Sequence, residues 1–518
     1  MKLFISLLLV PCIFITHTTV AQKLKLSKAR VQALDSLEEQ QLLLWTEAKK
    51  EKEALTAKFR IEQEKHRAEW ESQRIDLFAK AREEQKERDA HNLLRYDSLF
   101  THVDYSDSTS LTLLNVPYTS LPHIIYSLPR LNKLTISGTQ IQLIDRALFK
   151  LPHLDSLYLS HNKLEGDLEI PKNEKITALD LSYNKFNTIP KKLKKLKNLK
   201  KLRLNENQLG ANGGKIKIKK LKNLEYLDLS NNQLTSLPKG LKKLRHLKIL
   251  ILSNNSITSL KGLQKLHTLK ELELSNNIVF PDPRYLVGLD SLEKLTMHKC
   301  GLIYFPPEIE RIQNLKKLIL PENKLTSIPP EIGTLKNLEN LMVYKNELTS
   351  IPEEIYNLEN LLWLDIYHNQ IPEISEKIGQ LYKLEILYLS YNKLKVLPDA
   401  IGNMQQLREL YAHHNQLRAV PDLSKLQNLA YLHLYHNHIT EFPASILKLA
   451  QLKELNISDN LISEFPYEIK NLTNLRFIYL EDNQTDMYGM PYEHLKMALK
   501  ELNDKGVNIK FDYPGREK

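Results

Sequence analysis

Residues 338–358 read LENLMVYKNELTSIPEEIYNL. Apolar side chains fall at Leu338, Leu341, Val343, Leu348, Ile351, Ile355 and Leu358, with Asn346 and Pro352 at set offsets among them. The frame, LxxLxLxxNxLxxLPxxIxxLxx, recurs along most of the chain. Its asparagine slot holds Asn162, Asn184, Asn207, Asn232, Asn255, Asn277, Asn323, Asn346, Asn369, Asn392, Asn415, Asn437, Asn460 and Asn483. Cys300 lies 23 residues from both Asn277 and Asn323, so it occupies the slot of its own unit, and the spacing throughout is 22 to 25 residues. One unit cannot bury its own leucines, so neighbours must stack and share one core.

Each part of the frame has a physical role. In the LxLxx stretch the chain alternates as a strand, so Leu387 and Leu389 point into the stack while Tyr388 and Ser390 point outward. The asparagine three residues after the second leucine lies at the turn leaving the strand, where its amide can pair with backbone groups the turn would leave unsatisfied. Proline after the next leucine, as at Leu397 and Pro398, lacks a donor and fixes its own backbone angle, which suits an irregular outer arc. Strands inside and wider turns outside predict a curved α/β solenoid with a parallel sheet on its concave face.

With this motif the chain resembles the leucine-rich-repeat family, over about 380 of its 518 residues. The LPxxI unit at Leu325 to Ile332 and at Leu348 to Ile355 is most similar to the Ras-group-like and bacterial members. The resemblance implies a horseshoe whose concave sheet binds a protein partner, with no shared catalysis or cofactor to carry over. The cysteine-rich caps of the eukaryotic extracellular members are missing, so the chain looks more like an exported bacterial protein.

The segments flanking the repeats set further expectations. Residues 1–21 combine Lys2, an apolar run from Leu3 to Ile15 and the small residues near Ala21, which reads as a secretory signal peptide. That run is about 13 residues against the ~20 needed to cross a bilayer, so no membrane span is expected after cleavage, and the destination is periplasmic or extracellular. Residues 22–100 carry no glycine or proline and are densely charged, with 24 of the 45 residues from Thr46 to Ala90 being Asp, Glu, Lys or Arg. This predicts a long charged helical arm. Its sparse apolar stripe leaves open self-association as a coiled coil, docking on the solenoid, or a spacer role. The repeats, about 17 in all, run over 105–486, beginning with Val116 and Thr139 in the slot. A helix carrying Leu495, Met497, Ala498 and Leu502, then a strand through Val507, Ile509 and Phe511, would cap the stack over 487–518.

The formal net charge of +11 has a local source. From Lys191 to Lys222 there are thirteen Lys or Arg and one acid, Glu206, either a solvated face or a site of attraction to an anionic surface. No aromatic residue interleaves the patch, so the stacking platform of single-strand nucleic-acid binders is missing. Cys300 belongs to the ladder, with no basic partner to activate it. About 32 residues follow the repeats, too few for a catalytic domain.

Outward-facing positions change character along the stack. Early ones are small or charged: Asp180 and Ser182, Asp228 and Ser230, then Glu271, Glu273 and Ser275. Later ones are aromatic and histidine-rich: Tyr344; Trp363, Asp365, Tyr367 and His368; Tyr388 and Tyr391; Tyr411, His413 and His414; Tyr431, His433, Tyr435 and His436; Phe477 and Tyr479. Tyrosine and tryptophan anchor protein interfaces because they offer large apolar faces, one polar atom and little rotamer entropy to lose. These residues are the expected partner-binding surface; a purely structural aromatic ladder is the alternative. His414 and His436 are near enough to share a zinc ion, but open histidines without a cysteine or fixed carboxylate are a weak metal set, so no metal is assigned. A non-enzymatic protein-binding scaffold is the reading these features favour, with an exported adhesin or envelope protein acting through the basic patch and arm as the alternative.

Overall fold

The computed structural model describes residues 107–211, 216–279, 285–485 and 490–511. The expected signal peptide and charged helical arm lie outside the described residues. Eighteen strands form one sheet. They are β1 (Ser110–Leu114), β2 (Lys133–Ser137), β3 (Ser156–Tyr158), β4 (Ala178–Asp180), β5 (Lys201–Arg203), β6 (Tyr226–Asp228), β7 (Ile249–Ile251), β8 (Glu271–Glu273) and β9 (Lys294–Thr296). The series continues with β10 (Lys317–Ile319), β11 (Asn340–Met342), β12 (Trp363–Asp365), β13 (Ile386–Tyr388), β14 (Glu409–Tyr411), β15 (Tyr431–His433), β16 (Glu454–Asn456), β17 (Phe477–Tyr479) and β18 (Asn508–Lys510).

Every strand pairs in parallel with the next in the chain, and the register aligns equivalent positions, as in Leu341 with Leu364 and Leu364 with Leu387. That register places one inward leucine or isoleucine of each strand over its neighbour, and these residues are almost wholly buried, Leu364, Leu387, Leu410 and Leu432 at 0% exposure. Parallel strands require long crossovers. Here most crossovers are outer arcs holding a short 3-10 helix, such as Glu353–Asn357 or Asp399–Asn403. Pro352 and Pro398 stand at the helix entry with φ of −70° and −62°, angles their rings impose. The isoleucine three residues later, Ile355 or Ile401, closes the core from outside.

The asparagine slot bonds in one pattern throughout. Asn392 Nδ2 donates to Leu389 O at 3.0 Å and Ser390 O at 3.4 Å in its own repeat, and to Ile366 O at 3.0 Å in the preceding one. Its Oδ1 accepts from Ile371 N at 3.0 Å. The amide thus stitches two repeats and satisfies a turn that the ladder cannot reach. Cys300 keeps part of this, its thiol donating to Leu274 O at 3.3 Å. The residue before each slot is left-handed, with φ of +54° at Tyr391, +51° at His414 and +55° at His436. This conformation is uncommon for residues with a side chain, and the sharp turn that swings the asparagine inward imposes it.

At the far end, helix α1 (Met490–Asp504) buries Leu495, Ala498, Leu499 and Leu502, and β18 pairs with β17. Met497 is 48% exposed, so Leu499 takes the contact that the sequence pattern assigns to Met497. Lys470 Nζ and Tyr467 Oη meet Glu501 of α1 at 3.0 and 2.8 Å, fastening the cap to the last repeat. No described helix is long and apolar enough to cross a membrane.

Candidate functional site

The strand period sorts the concave residues of the later repeats into rows that run along the stack. The first row holds Trp363, Ile386, Glu409, Tyr431, Glu454 and Phe477, each opening its strand. The second holds Asp365, Tyr388, Tyr411, His433, Asn456 and Tyr479, each closing it. Two residues further on come Tyr344, Tyr367, Ser390, His413 and Tyr435. The fourth row consists of His368, Tyr391, His414 and His436, which sit past the strands on the left-handed turn residues and not on the strands themselves.

Equivalent residues of adjacent repeats lie one strand spacing apart, ~4.8 Å, which is close to the preferred separation of aromatic rings. The rings therefore pack continuously. In the second row Tyr388 and Tyr411 meet edge to face at 4.5 Å, and Tyr411 meets His433 at 4.6 Å. In the third row His413 stacks on Tyr435 at 4.2 Å. In the fourth, Tyr391 stacks on His414 at 3.9 Å and His414 on His436 at 4.3 Å. Tyr367 and Tyr391 join the third and fourth rows at 5.2 Å, while Trp363 and Tyr388 join the first and second at 5.9 Å.

Access differs among these residues. His368, Tyr391, His436 and Phe477 are exposed, and Tyr344, Trp363, Tyr367, Tyr388, Tyr411, His413, His414, Tyr431, His433, Tyr435 and Tyr479 are half-buried. Asp365, expected to face a partner, is only 6% exposed, close to the 8% of Asp180 and 9% of Asp228 at the equivalent position. Ser390 is fully buried. Both line a cavity of about 380 Å³ with Tyr344, Lys345, Tyr367, Tyr388, Tyr411 and His413. Sequence reasoning passed over Ser390 and Lys345 as site residues. The signal it could have used is the Asp-x-Ser pairing of the earlier strands, which breaks at Asp365.

Burial dominates the electrostatics. It raises the Asp365 carboxyl to about 6, against one backbone hydrogen bond from Tyr367 that pulls it down. Burial, then the nearby Glu409 carboxylate, raises Tyr388 to about 12, and Tyr411 is raised for the same reasons. His413 is driven down to about 3 by burial and then by His414, His433 and His436, and His414 and His433 are also lowered, chiefly by burial. His433 Nε2 lies 3.1 Å from Glu454. Burial thus holds the His413, His414 and His433 imidazoles below their ordinary value and disfavours their protonated forms. Among the described residues, no group of three or more His, Cys, Asp or Glu side chains converges to hold a metal ion.

The early face is not bare of rings. His161 stacks on Tyr183 at 3.9 Å, and Arg203 lies over Tyr226 at 5.4 Å, so the sequence contrast between early and late repeats is one of continuity and not of presence. Within the basic stretch, Lys200 pairs with Glu225 at 3.3 Å, Arg203 with Asp180 at 3.5 Å, and Lys192 with Glu169, so part of its charge is neutralised by neighbouring repeats.

Family models for a leucine-rich repeat region match residues 344–430, for the leucine rich repeat residues 109–165, 313–371 and 427–484, and for paired leucine rich repeats residues 222–265. The chain belongs to the leucine-rich-repeat proteins. Among solved structures it is similar to a leucine-rich-repeat protein of Leptospira interrogans, at 30% identity and a TM-score of 0.63, over 79% of this chain and 97% of that one. It is also similar to the ectodomain of the Arabidopsis receptor kinase HAESA, solved in complex with an IDA peptide hormone ligand, at 26% identity and a TM-score of 0.50, over 72% of this chain and 69% of that one. An internalin of Listeria monocytogenes shares the fold, at 24% identity and a TM-score of 0.51, over 59% of this chain and 86% of the internalin. No curated protein matches the sequence.

Proposed function

We propose that this chain is a non-enzymatic, exported scaffold that captures a protein or peptide on its concave face, between Tyr344 and Tyr479. One observation carries the reading: rings of neighbouring repeats, in contact from Tyr367 to His436, present a wide and already ordered aromatic surface. Order matters because association must offset the entropy of fixing side chains, and rings already held by neighbours lose little more. The peptide complex of the HAESA ectodomain supports a peptide or protein partner for this fold. No constellation for nucleophilic or acid-base chemistry accompanies the surface, Cys300 being 1% exposed with its thiol raised to about 11 by burial.

The test is affinity capture with the purified chain against a variant in which Tyr367, Tyr388, Tyr411 and Tyr435 are all changed to Ser. Capture should be lost while the fold survives. Capture that survives the four substitutions but collapses as salt rises from about 50 to 500 mM would place binding on the Lys191 to Lys222 stretch instead, since screening acts on exposed charge far more than on an aromatic interface.

A further inference from the structure

Beneath the tyrosines lies an acid without the partner that its equivalents have. Asp180 Oδ1 accepts from Ser182 N at 2.9 Å and Ser182 Oγ at 2.6 Å, and its Oδ2 faces Arg203 at 3.5 Å. Asp228 Oδ1 accepts likewise from Ser230 N at 3.0 Å and Oγ at 2.7 Å. Asp365 closes β12 in the same position, but the residue two further on is Tyr367, which supplies only its backbone N–H, at 3.1 Å. Opposite Asp365 on β13 stands Tyr388, where Arg203 stands opposite Asp180 and Ile251 opposite Asp228. The next repeat carries the converse defect. Ser390 keeps the hydroxyl while Tyr388 occupies the acid's place, and Ser390 Oγ is buried without a hydrogen-bond partner.

The two unmatched groups share one cavity of about 380 Å³, walled by Tyr344, Tyr367, Tyr388 and Tyr411. Two other residues of its lining bear on charge. Lys345 is exposed at the rim and already paired, its Nζ lying 3.3 Å from Glu322. His413 is neutral near pH 7, since burial and its histidine neighbours hold it far below 6.5. The cavity thus offers a carboxylate and several tyrosine rings, with no committed cation inside. Withdrawing such a polar group from water without partners is unfavourable, so the arrangement is explained by a ligand that supplies the missing donors.

We propose that this hollow receives a primary ammonium, the side chain of a lysine in a bound peptide, with Asp365 as its counter-ion. The ammonium has three N–H donors on a compact head, which can meet the carboxylate while the tyrosine rings face the remaining charge. Its four-carbon stem supplies the reach and packs on the ring faces. An apolar side chain would fill the space and leave the Asp365 carboxylate without a counter-ion. This assignment rests on the concave-face reading above and names one chemical feature of the partner.

The experiment is calorimetric titration of the full chain with acetyl-Gly-Lys-Gly-amide. Parallel arms replace lysine by norleucine or arginine, or use Gly-Gly-Gly-amide with a free amino terminus. The lysine peptide is expected to bind, norleucine to give no heat, and arginine and the free amino terminus to bind at least fivefold more weakly. Asp365→Asn, which removes charge at constant volume, should weaken the lysine peptide at least tenfold, with unchanged circular dichroism confirming the fold. Equal binding of norleucine, indifference to Asp365→Asn, no heat from any peptide, or preference for arginine or for the free amino terminus would each overturn the lysine assignment. Failure here is separable from failure of the broader reading: a partner captured by wild type and Asp365→Asn alike, but not by the four-tyrosine variant, removes the ammonium site and leaves the concave interface standing.

Discussion

Tyr391 and His414 stack face to face, with ring centroids 3.9 Å apart and planes 13° from parallel, although 23 residues separate them in the chain. Both sit on left-handed turn residues that the asparagine ladder holds in place, and the strand spacing then brings ring over ring. The aromatic face is thus a by-product of the repeat register as much as of the residues chosen. A double-mutant cycle of Tyr391→Leu and His414→Leu, read by chemical denaturation, should show a coupling of roughly 0.5 to 1.5 kcal/mol. A coupling near zero would mean that the stack adds nothing beyond each ring's contact with the turn.

Asn392→Ala removes the donor to Leu389 O, Ser390 O and Ile366 O and the acceptor of Ile371 N. Stranding buried backbone groups should lower stability by about 1 to 3 kcal/mol in a urea unfolding series. The same change at exposed Lys393, which lies beside it, should cost less than about 0.5 kcal/mol.

Asp365 is held near 6 by burial, against an ordinary value of 3.8. Between those two values the folded chain keeps a proton that the unfolded chain has lost, so this stabilising effect is present below about pH 4 and disappears as pH rises through 6. Asp365→Asn should then raise stability by roughly 1 to 3 kcal/mol at pH 7.5, and the gain should vanish at pH 4. Thermal melts at both pH values check this, and a variant less stable at pH 7.5 would show that the carboxylate is satisfied in the apo chain.

His413 works in the opposite direction. Its pKa lies near 3, against an ordinary 6.5, because it is buried and surrounded by His414, His433 and His436. As pH falls from about 6.5 the unfolded imidazole takes up a proton that the folded one refuses, so stability is lost on acidification. Replacing His413 by Gln should flatten the fall between pH 7 and 4 by roughly 1 to 3 kcal/mol, measured as the difference in unfolding free energy at the two ends.

Cys300 is 1% exposed, and burial raises its thiol to about 11. Iodoacetamide at pH 8 should leave the Cys300 peptide unmodified in the folded chain and alkylate it fully in 6 M guanidinium, as followed by mass spectrometry. Alkylation at comparable rates in both states would mean that the ladder opens at this repeat.

The fold was legible in residues such as Leu341, Val343, Asn346 and Pro352, because stacking repeats restate the same local rule every 22 to 25 positions and the core side of each strand follows from alternation. The cap was legible too, except that helix rotation buries Leu499 and turns Met497 to solvent, a choice made by packing against the last repeat. The candidate site was legible only as a roster. Alternation states that Asp365 and Ser390 point outward, yet both end up buried, as Asp180, Ser182, Asp228 and Ser230 do in earlier repeats, and they line one cavity with tyrosines of neighbouring repeats.

By itself, the sequence determined the period, the inward leucines, the asparagine ladder and the identities of the side chains on the concave face, all of which are set by residues within one unit. Only the tertiary structure decided which of those side chains touch, that His368, Tyr391, His414 and His436 ride on left-handed turns, and that Asp365 and Ser390 share a cavity. The physical reason is that burial and electrostatics on this face come from side chains one and two repeats away. Their separation in space is the strand spacing and the register, quantities that exist only once the repeats have stacked.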